Sequence, residues 1–139
     1  DQTGRLIKTI DINRGYQKSA VSARDRDDFR TYLKTEPAWK DHYQDFKSWI
    51  KFPDFKPGIK YFYLSGGIIC IIRWTGKGDE RDLSLYDLQG KLLKNTQAPL
   101  IMKDTMIPYP HSFHQGSFYQ LIEDPEEEGT WVLYQTSLL

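Results

Sequence analysis

The sequence has little cysteine and no excess charge of either sign. Cys70 is the only cysteine among the 139 residues, so no disulfide can form within the chain. It lies in the apolar stretch of residues 68–72, where we expect a small buried side chain rather than a reactive thiol. Lys and Arg together number 19, as do Asp and Glu. This balance argues against a nucleic-acid-binding module, because such modules carry a basic face, and it removes electrostatic attraction to anionic membranes.

Segments that would place the chain in a membrane, or give it a familiar catalytic motif, are also missing from the sequence. No apolar run reaches the roughly 20 residues of a membrane-spanning helix. No secretory leader is recognisable, although a chain that begins with Asp1 carries little information on this point. The nucleophile motif G-x-S-x-G is absent, Gly76-Lys77-Gly78 lacks the rest of a phosphate-binding loop, and the acidic residues 123–128 lack the ligand spacing of a calcium loop. We therefore predict neither catalytic residues nor a cofactor.

What the sequence does contain is a series of short β-prone segments. Aromatic residues make up 14% of the chain, and aromatic and β-branched residues favour strands. Residues 59–98 contain four such segments separated by short turns, which predicts one four-stranded antiparallel blade. Residues 99–139 begin the same pattern after a proline-marked linker but supply three strands, one fewer than a blade. The predicted strands cover residues 5–12, 60–64, 68–74, 83–87, 91–94, 111–114, 117–122 and 130–135.

A helical insert is predicted between the first strand and the first blade. Ser22 followed by Asp25 is typical of a helix N-terminus, and Pro37 suits the first turn of a second helix. We predict two short helices over about residues 22–50. An extended connector follows as far as residue 58, because its two prolines and its glycine disfavour a helix.

One phrase occurs twice in the chain. DQTGRLIK opens it and DLQGKLLK occupies residues 87–94, 86 positions later. Aspartate, two residues and glycine form a turn, because the carboxylate accepts hydrogen bonds from nearby backbone N–H groups and glycine tolerates a positive φ. At residues 87–94 this turn joins the third strand of the blade to its fourth. The repeat therefore predicts that residues 5–12 form an outermost strand, whose neighbours come either from residues 131–135 or from another copy.

Together these features resemble the last blades of the NHL-type six-bladed β-propeller proteins of bacteria. The resemblance rests on residues 4–10, the helical insert, residues 50–60, residues 87–92 and residues 116–124, and it spans nearly the whole chain. It implies a mainly β fold with about two four-stranded antiparallel propeller blades and a two-helix insert. The implied parts are an outer strand (1–15), the insert and connector (16–58), a blade (59–98) and an incomplete blade (99–139).

A six-bladed ring needs more than the two blades predicted here. The resemblance therefore implies that the chain, as a single domain or as a fragment of a longer protein, is completed by other chains or by its own copies. Three copies with two blades each would close a ring. The predicted partner is a protein or further copies of the chain, with no nucleic acid and no membrane span. Bacterial propellers of this kind are commonly exported, which implies a periplasmic or extracellular location.

The residues best suited to binding a partner are aromatic and lie around the insert. Most of them recur at helical spacing, and the last lies in the connector. Two interpretations stay open: the rings dock the helices onto the sheets, or they form an exposed groove for a ligand or partner. The candidate binding residues are Trp39, Tyr43, Phe46, Trp49 and Phe55.

His111 and His114 are the candidates for a metal site, since some NHL-type propellers with lyase or hydrolase activity hold a metal through histidines near the central channel. Positions three apart in a strand point to opposite faces, however, and no third ligand is evident. The leading prediction is therefore a non-catalytic protein-interaction or ligand-binding scaffold. The alternative is a metal-assisted hydrolase or lyase that uses the channel of a completed propeller.

Overall fold

A computed structural model describes Thr9 and residues 18–74, 81–104 and 107–139. These residues form two antiparallel sheets and a short helical insert, which confirms a mainly β fold. Apart from Thr9, the predicted outer strand at residues 5–12 lies outside the described residues. The elements are α1 (Ala23–Thr35), a 3-10 turn (Lys40–His42), α2 (Tyr43–Phe46), a second 3-10 turn (Lys47–Trp49), β1 (Tyr61–Ser65), β2 (Ile68–Trp74), β3 (Arg81–Asp87), β4 (Leu92–Gln97), β5 (His111–His114), β6 (Ser117–Glu123) and β7 (Trp131–Ser137).

The first sheet is the meander predicted for residues 59–98, in the order β1-β2-β3-β4. Residues 68–72 of its β2 strand are all apolar, because both faces of the strand are covered there. Ile72 is buried on one face and Ile71 on the other. The β1–β2 hairpin turns at Gly66 and Gly67, whose φ values of 58° and 76° are left-handed conformations that glycine adopts without strain.

The turn between β3 and β4 has the structure that the repeated phrase predicts. Asp87 Oδ1 accepts hydrogen bonds from the backbone N–H groups of Gln89 and Lys91, each 2.9 Å long. Gly90 has a φ of 87°, and β4 then pairs antiparallel with β3. The Asp-x-x-Gly phrase is therefore confirmed, at this place in the chain, as a turn into the outermost strand of a sheet.

The second sheet has the order β5-β6-β7, with three strands within the described part of the chain. In its ladders Phe118 pairs with Phe113 and with Thr136, and Leu121 pairs with Leu133. The sequence predicted this three-strand meander for residues 99–139. The fourth strand of a complete blade has its candidate sequence at the other end of the chain, outside the described residues.

The two sheets pack against each other and enclose the main core. Phe118 is 1% exposed, and its ring lies 6.4 Å from that of Tyr63 in the first sheet. β1 and β5 are neighbours at this interface, where the rings of Tyr61 and His111 are 4.6 Å apart. Burial raises the pKa of Cys70 to about 12, which agrees with the predicted inert thiol. The buried residues of this core are Cys70, Ile72, Leu83, Leu85, Phe113, Phe118 and Leu138.

The helical insert begins where the sequence predicts. Ser22 Oγ accepts a hydrogen bond from the Asp25 N–H, and the Asp25 carboxylate accepts one from the Ser22 N–H, which is a capping box. The second predicted helix is instead a four-residue α2 between two 3-10 turns. These short turns have no side-chain cap to satisfy their first N–H groups. No helix in the described ranges is both long and apolar enough to cross a membrane.

Lys56, in the connector, ties the insert to the first sheet. Its Nζ lies 2.7 Å from the Asp25 carboxylate and 4.2 Å from the ring centre of Trp74 at the end of β2. The Lys56 side chain is almost fully buried, so solvent screens this ion pair less than an exposed one. Edge-to-face contact between Phe29 and Phe52 adds apolar packing between α1 and the connector.

We expect acid to loosen the insert through Asp25. Burial raises the pKa of its carboxyl, but hydrogen bonds from Lys56 and Ser22 lower it by more, so the pKa lies below its ordinary value of 3.8. Because folding lowers this pKa, the carboxylate stabilises the folded state above pH 3.8. That contribution to stability is lost as the pH falls through the lower pKa that Asp25 has in the folded state.

Asp25→Asn should therefore lower the free energy of unfolding by about 1 kcal/mol at neutral pH. In urea denaturation at a series of pH values, the difference from the parent protein should disappear in acid below the folded-state pKa. Asp27→Asn is the matched control, because Asp27 is an exposed acid of the same helix, and it should change stability by less than about 0.5 kcal/mol. If Asp25→Asn remained less stable than the parent protein in strong acid, the loss of stability could not be assigned to the ionised Asp25 carboxylate.

Candidate interaction surfaces

The structure brings three of the five predicted binding residues into one cluster. Trp39 and Phe46 meet edge to face with ring centres 6.3 Å apart, and Tyr43 and Phe46 do so at 6.0 Å. Tyr43 is buried, with Lys34 Nζ 5.4 Å from its ring centre. Trp39 is about half exposed. The three rings form a small core of the insert, and the cluster is open to solvent at Trp39.

The other two predicted residues lie apart from this cluster. Trp49 is 78% exposed. Phe55 is about half exposed, forms an isolated β-bridge with Ala20 and lies 5.1 Å from Lys18 Nζ. Among the residues that the structure describes, neither ring contacts a ring of the cluster. The five residues are thus a cluster of three and two separate rings, and their role in binding stays a prediction.

His111 lies in the interface between the sheets. Its ring contacts those of Tyr61 and Phe118, and its Nδ1–H donates a 2.8 Å hydrogen bond to the carbonyl of Tyr109. Burial lowers the pKa of His111 and the nearby charge of Lys60 lowers it further, against the hydrogen bond to Tyr109, which raises it. The neutral ring is therefore favoured, and it serves as packing between the sheets.

His114 has a different environment, at the opposite end of β5. Its Nδ1 shares a 2.9 Å hydrogen bond with Ser65 Oγ, which also accepts the backbone N–H of Gln115. His111 is three positions away, so its side chain points to the other face of the strand. In the described ranges no three His, Cys, Asp or Glu side chains come together to hold a metal. His111 and His114, the candidates for a metal site, therefore have no supporting observation in this part of the chain.

The outer edge of the second sheet carries a run of exposed apolar residues. β7 is the last strand in its sheet, and no other described strand pairs with its far side. All seven of its residues are exposed. They include Trp131, Val132, Leu133 and Tyr134 in succession, with Leu133 64% exposed. An apolar edge of this kind is a template for pairing with another strand.

β4, the outer edge of the first sheet, has a different sequence. After two leucines it continues as Lys-Asn-Thr-Gln at residues 94–97, and Asn95 Oδ1 accepts a hydrogen bond from Ser84 Oγ of β3. Lysine and short polar side chains discourage further pairing at an edge. The apolar first half of β7 instead resembles the central strand β2 of the first sheet.

At Leu133 the backbone N–H and C=O groups of β7 point away from β6. Leu121 stands opposite Leu133 in the ladder, but its own N–H donates to the carbonyl of Pro110 on the other side of β6. Leu121 and Leu133 are therefore a non-hydrogen-bonded pair. In an antiparallel ladder the two residues of a non-hydrogen-bonded pair direct their backbone N–H and C=O groups away from each other. The N–H and C=O of Leu133 therefore face the open edge. Those of Trp131 and Gln135 do the same, because strand geometry repeats every two residues.

A cleft of about 370 Å³ lies beside β7, on the face of the sheet that carries Phe118. Tyr134 and Thr136 of β7 line it, together with Phe118 and Gln120 of β6 and residues 98–101 of the linker between the sheets. A volume of this size falls within the range of about 300–1,000 Å³ that is usual for small-ligand pockets. The cleft can therefore accept one or two side chains from a strand added at the edge.

Gln120 fixes the linker at this cleft. The side chain is 3% exposed, its Oε1 accepts the Ile101 N–H at 2.8 Å, and its Nε2 donates to the Ile101 carbonyl at 3.1 Å. The amide thereby takes the place of a peptide group in a neighbouring strand. Sequence reasoning missed both Gln120 and the cleft. The one available signal was a glutamine at an inward-facing position of the aromatic strand SFYQLIE.

Comparison with known proteins assigns no relative. No family model, curated protein or solved structure matches this chain. The case for a function therefore rests on the surfaces described above and on the sequence phrases that resemble NHL-type propellers.

Proposed function

We propose that the chain is a non-catalytic interaction scaffold made of two propeller-type blades, and that it binds an extended polypeptide as an additional strand on β7. The observation that carries this proposal is the edge of β7, whose seven residues are exposed and whose first four are large and apolar. The blade interpretation is supported by the meander order of both sheets, the adjacent strands β1 and β5, and the Asp87 turn into an outer strand.

The proposed binding mode divides affinity and specificity between backbone and side chains. The outward N–H and C=O groups of Trp131, Leu133 and Gln135 supply main-chain hydrogen bonds, which give affinity with little dependence on sequence. Side chains of an added strand alternate between two faces. One set would lie beside Leu133, and the other would enter the cleft beside Tyr134 and thereby select the sequence.

The exposed aromatic residues of the insert fit the same scaffold role. Trp39 and Trp49 present large ring surfaces to solvent, and tryptophan is enriched among the residues that dominate protein interfaces. A partner larger than a single strand could contact them as well. They remain predicted contacts, secondary to the edge of β7.

The strand-binding role can be tested with two variants at one position. Random 12-residue peptides displayed on phage are selected on the parent protein, and their binding to Leu133→Pro and Leu133→Ala is measured. Proline removes the outward N–H, whereas alanine shortens the side chain and keeps that N–H. We expect Leu133→Pro to weaken the selected peptides at least about 10-fold and Leu133→Ala less than about 3-fold, because the main chain supplies the affinity.

Circular dichroism and thermal unfolding establish that both variants are folded. Should Leu133→Pro unfold, Gln135→Pro replaces it, because its N–H also faces the open edge. Selected peptides that bind the proline variant as tightly as the parent would show that they use another surface. That result would overturn the proposed role of β7.

A further inference from the structure

We propose that the polypeptide bound at β7 is basic, with a lysine or arginine side chain that lies against the acidic loop at the start of this strand. The inference rests on the proposed function and names the chemistry of the partner. The acidic loop is residues 123–128, at the connection between β6 and β7. It borders the open edge at which the backbone groups of Leu133 and Gln135 point outward. A strand that pairs with the whole of β7 therefore ends beside it.

The charges of the chain are distributed unevenly, although their sum is zero. All 19 Lys and Arg residues lie within residues 1–103. Residues 111–139, which contain the whole second sheet, have five carboxylic side chains and no Lys or Arg. The sheet that presents the open edge is therefore strongly negative, and its negative side chains are gathered in the acidic loop. They are Glu123, Asp124, Glu126, Glu127 and Glu128.

Three of these carboxylates surround a pocket of about 300 Å³. Glu123 stands opposite Trp131 in the β6–β7 ladder, so the pocket lies at the N-terminal end of the open edge. Within the described part of the chain, no Lys or Arg forms an ion pair with the three carboxylates. The pocket is thus open to a cation from a partner. Its lining residues are Tyr109, Glu123, Asp124, Pro125 and Glu128.

Aromatic rings at this end of β7 suit the same cation. The rings of Tyr109 and Trp131 meet edge to face with their centres 6.4 Å apart. Lys103 Nζ lies 5.9 Å from the ring centre of Trp131, a distance at which a cation is attracted to the ring. Trp131 is 42% exposed, so a lysine or arginine of the partner would find the same attraction there. The single charge of Lys103 leaves most of the negative charge of the acidic loop uncompensated.

The acidic loop gives the open edge a selectivity that its backbone lacks. Main-chain hydrogen bonds depend little on the sequence of the added strand. Opposite charges across an interface raise specificity and the rate of association, whereas like charges brought together are unfavourable. An acidic strand would therefore be rejected at this end. Because a strand rises about 3.3 Å per residue, Trp131 lies about 10 Å from Tyr134 and the cleft, and the basic residue should be about three to five positions from the side chain that enters the cleft.

The test uses the peptides that phage display selects on the parent protein. We expect Lys and Arg to be at least about twice as frequent in them as in the unselected library. Synthetic copies are then titrated with the parent and with Glu123→Gln/Glu128→Gln, which removes two carboxylates and keeps the length of the side chains. The variant should bind at least about 4-fold more weakly at about 0.01 M ionic strength, and less than about 2-fold more weakly at about 1 M, where charges are screened.

Asp41→Asn/Asp45→Asn is the matched control, because it changes the net charge equally at two exposed residues of the insert. We expect it to weaken binding by less than about 1.5-fold. In a second control, each Lys and Arg of a selected peptide is replaced by Gln. This neutral peptide should bind the parent and Glu123→Gln/Glu128→Gln equally, because both changes remove the same attraction. Circular dichroism establishes that the variants are folded.

Four outcomes would overturn the inference. Selected peptides without an excess of Lys and Arg that still lose binding in Leu133→Pro would leave the proposed function standing alone. An equal loss in Asp41→Asn/Asp45→Asn would show an effect of overall charge. Basic peptides that need Glu123 and Glu128 but are insensitive to Leu133→Pro would bind the acidic loop without the strand edge, and both proposals would fail. If no peptide binds β7 and Leu133→Pro disperses an oligomer of the parent in size-exclusion chromatography, the occupant is a second copy of the chain.

Discussion

Phe118→Ala should lower the free energy of unfolding by about 3–5 kcal/mol. The Phe118 ring is fully enclosed between the sheets, 6.4 Å from the ring of Tyr63 and 5.8 Å from that of His111. Removing it loses apolar burial and leaves a cavity that two hydrogen-bonded sheets cannot close. Because domains are typically stable by only about 5–15 kcal/mol, the variant should unfold at a much lower urea concentration, as measured by circular dichroism.

Phe62→Ala provides the matched control for this prediction. Phe62 lies in the same pair of sheets but is mostly exposed, so the same substitution should cost less than about 1 kcal/mol. Phe118→Leu keeps most of the volume, should cost less than the alanine variant, and serves if Phe118→Ala does not fold. Equal losses at Phe118 and Phe62 would contradict a shared core between the sheets.

Gln120→Leu should have the second-largest effect, about 2–3 kcal/mol of unfolding free energy. Leucine has a similar volume but leaves both the N–H and the C=O of Ile101 without their side-chain partners. The linker beside the cleft should then separate from β6. Hydrogen exchange measured by NMR should show faster exchange of the Ile101 amide, together with the loss of stability in urea.

Gln135→Leu is the control for the Gln120 prediction. Its side-chain amide donates to Ser117 Oγ at 3.2 Å on an exposed strand, where water can replace the lost hydrogen bond. We expect a change below about 0.5 kcal/mol. If the Ile101 amide exchanges at the same rate in Gln120→Leu as in the parent, the side chain does not hold the linker.

The features that the sequence predicted well are those encoded by neighbouring residues. The Asp87 turn depends on one carboxylate and one glycine within four positions, and the capping box of α1 depends on Ser22 and Asp25. The strands of both sheets follow from short β-prone segments between turns. Each of these elements needs only local backbone preferences, so a single sequence was sufficient to place them.

The features that the sequence did not predict depend on contacts between distant residues. The pairing of Gln120 with Ile101 joins positions 19 residues apart, and no local pattern specifies it. The division of the five aromatic residues into a cluster and two separate rings depends on how α2 and the connector pack. The tie from Asp25 through Lys56 to Trp74 likewise exists only once the insert has docked on the first sheet.

The uncovered side of β7 also has a consequence for how an assembly would grow. If the strand added at β7 came from a different surface of another copy, each copy that joined would bring an open edge of its own. Growth by such heterologous contacts ends only when the accumulated rotation returns the last copy to the first. Any other rotation gives an open filament that lengthens with concentration.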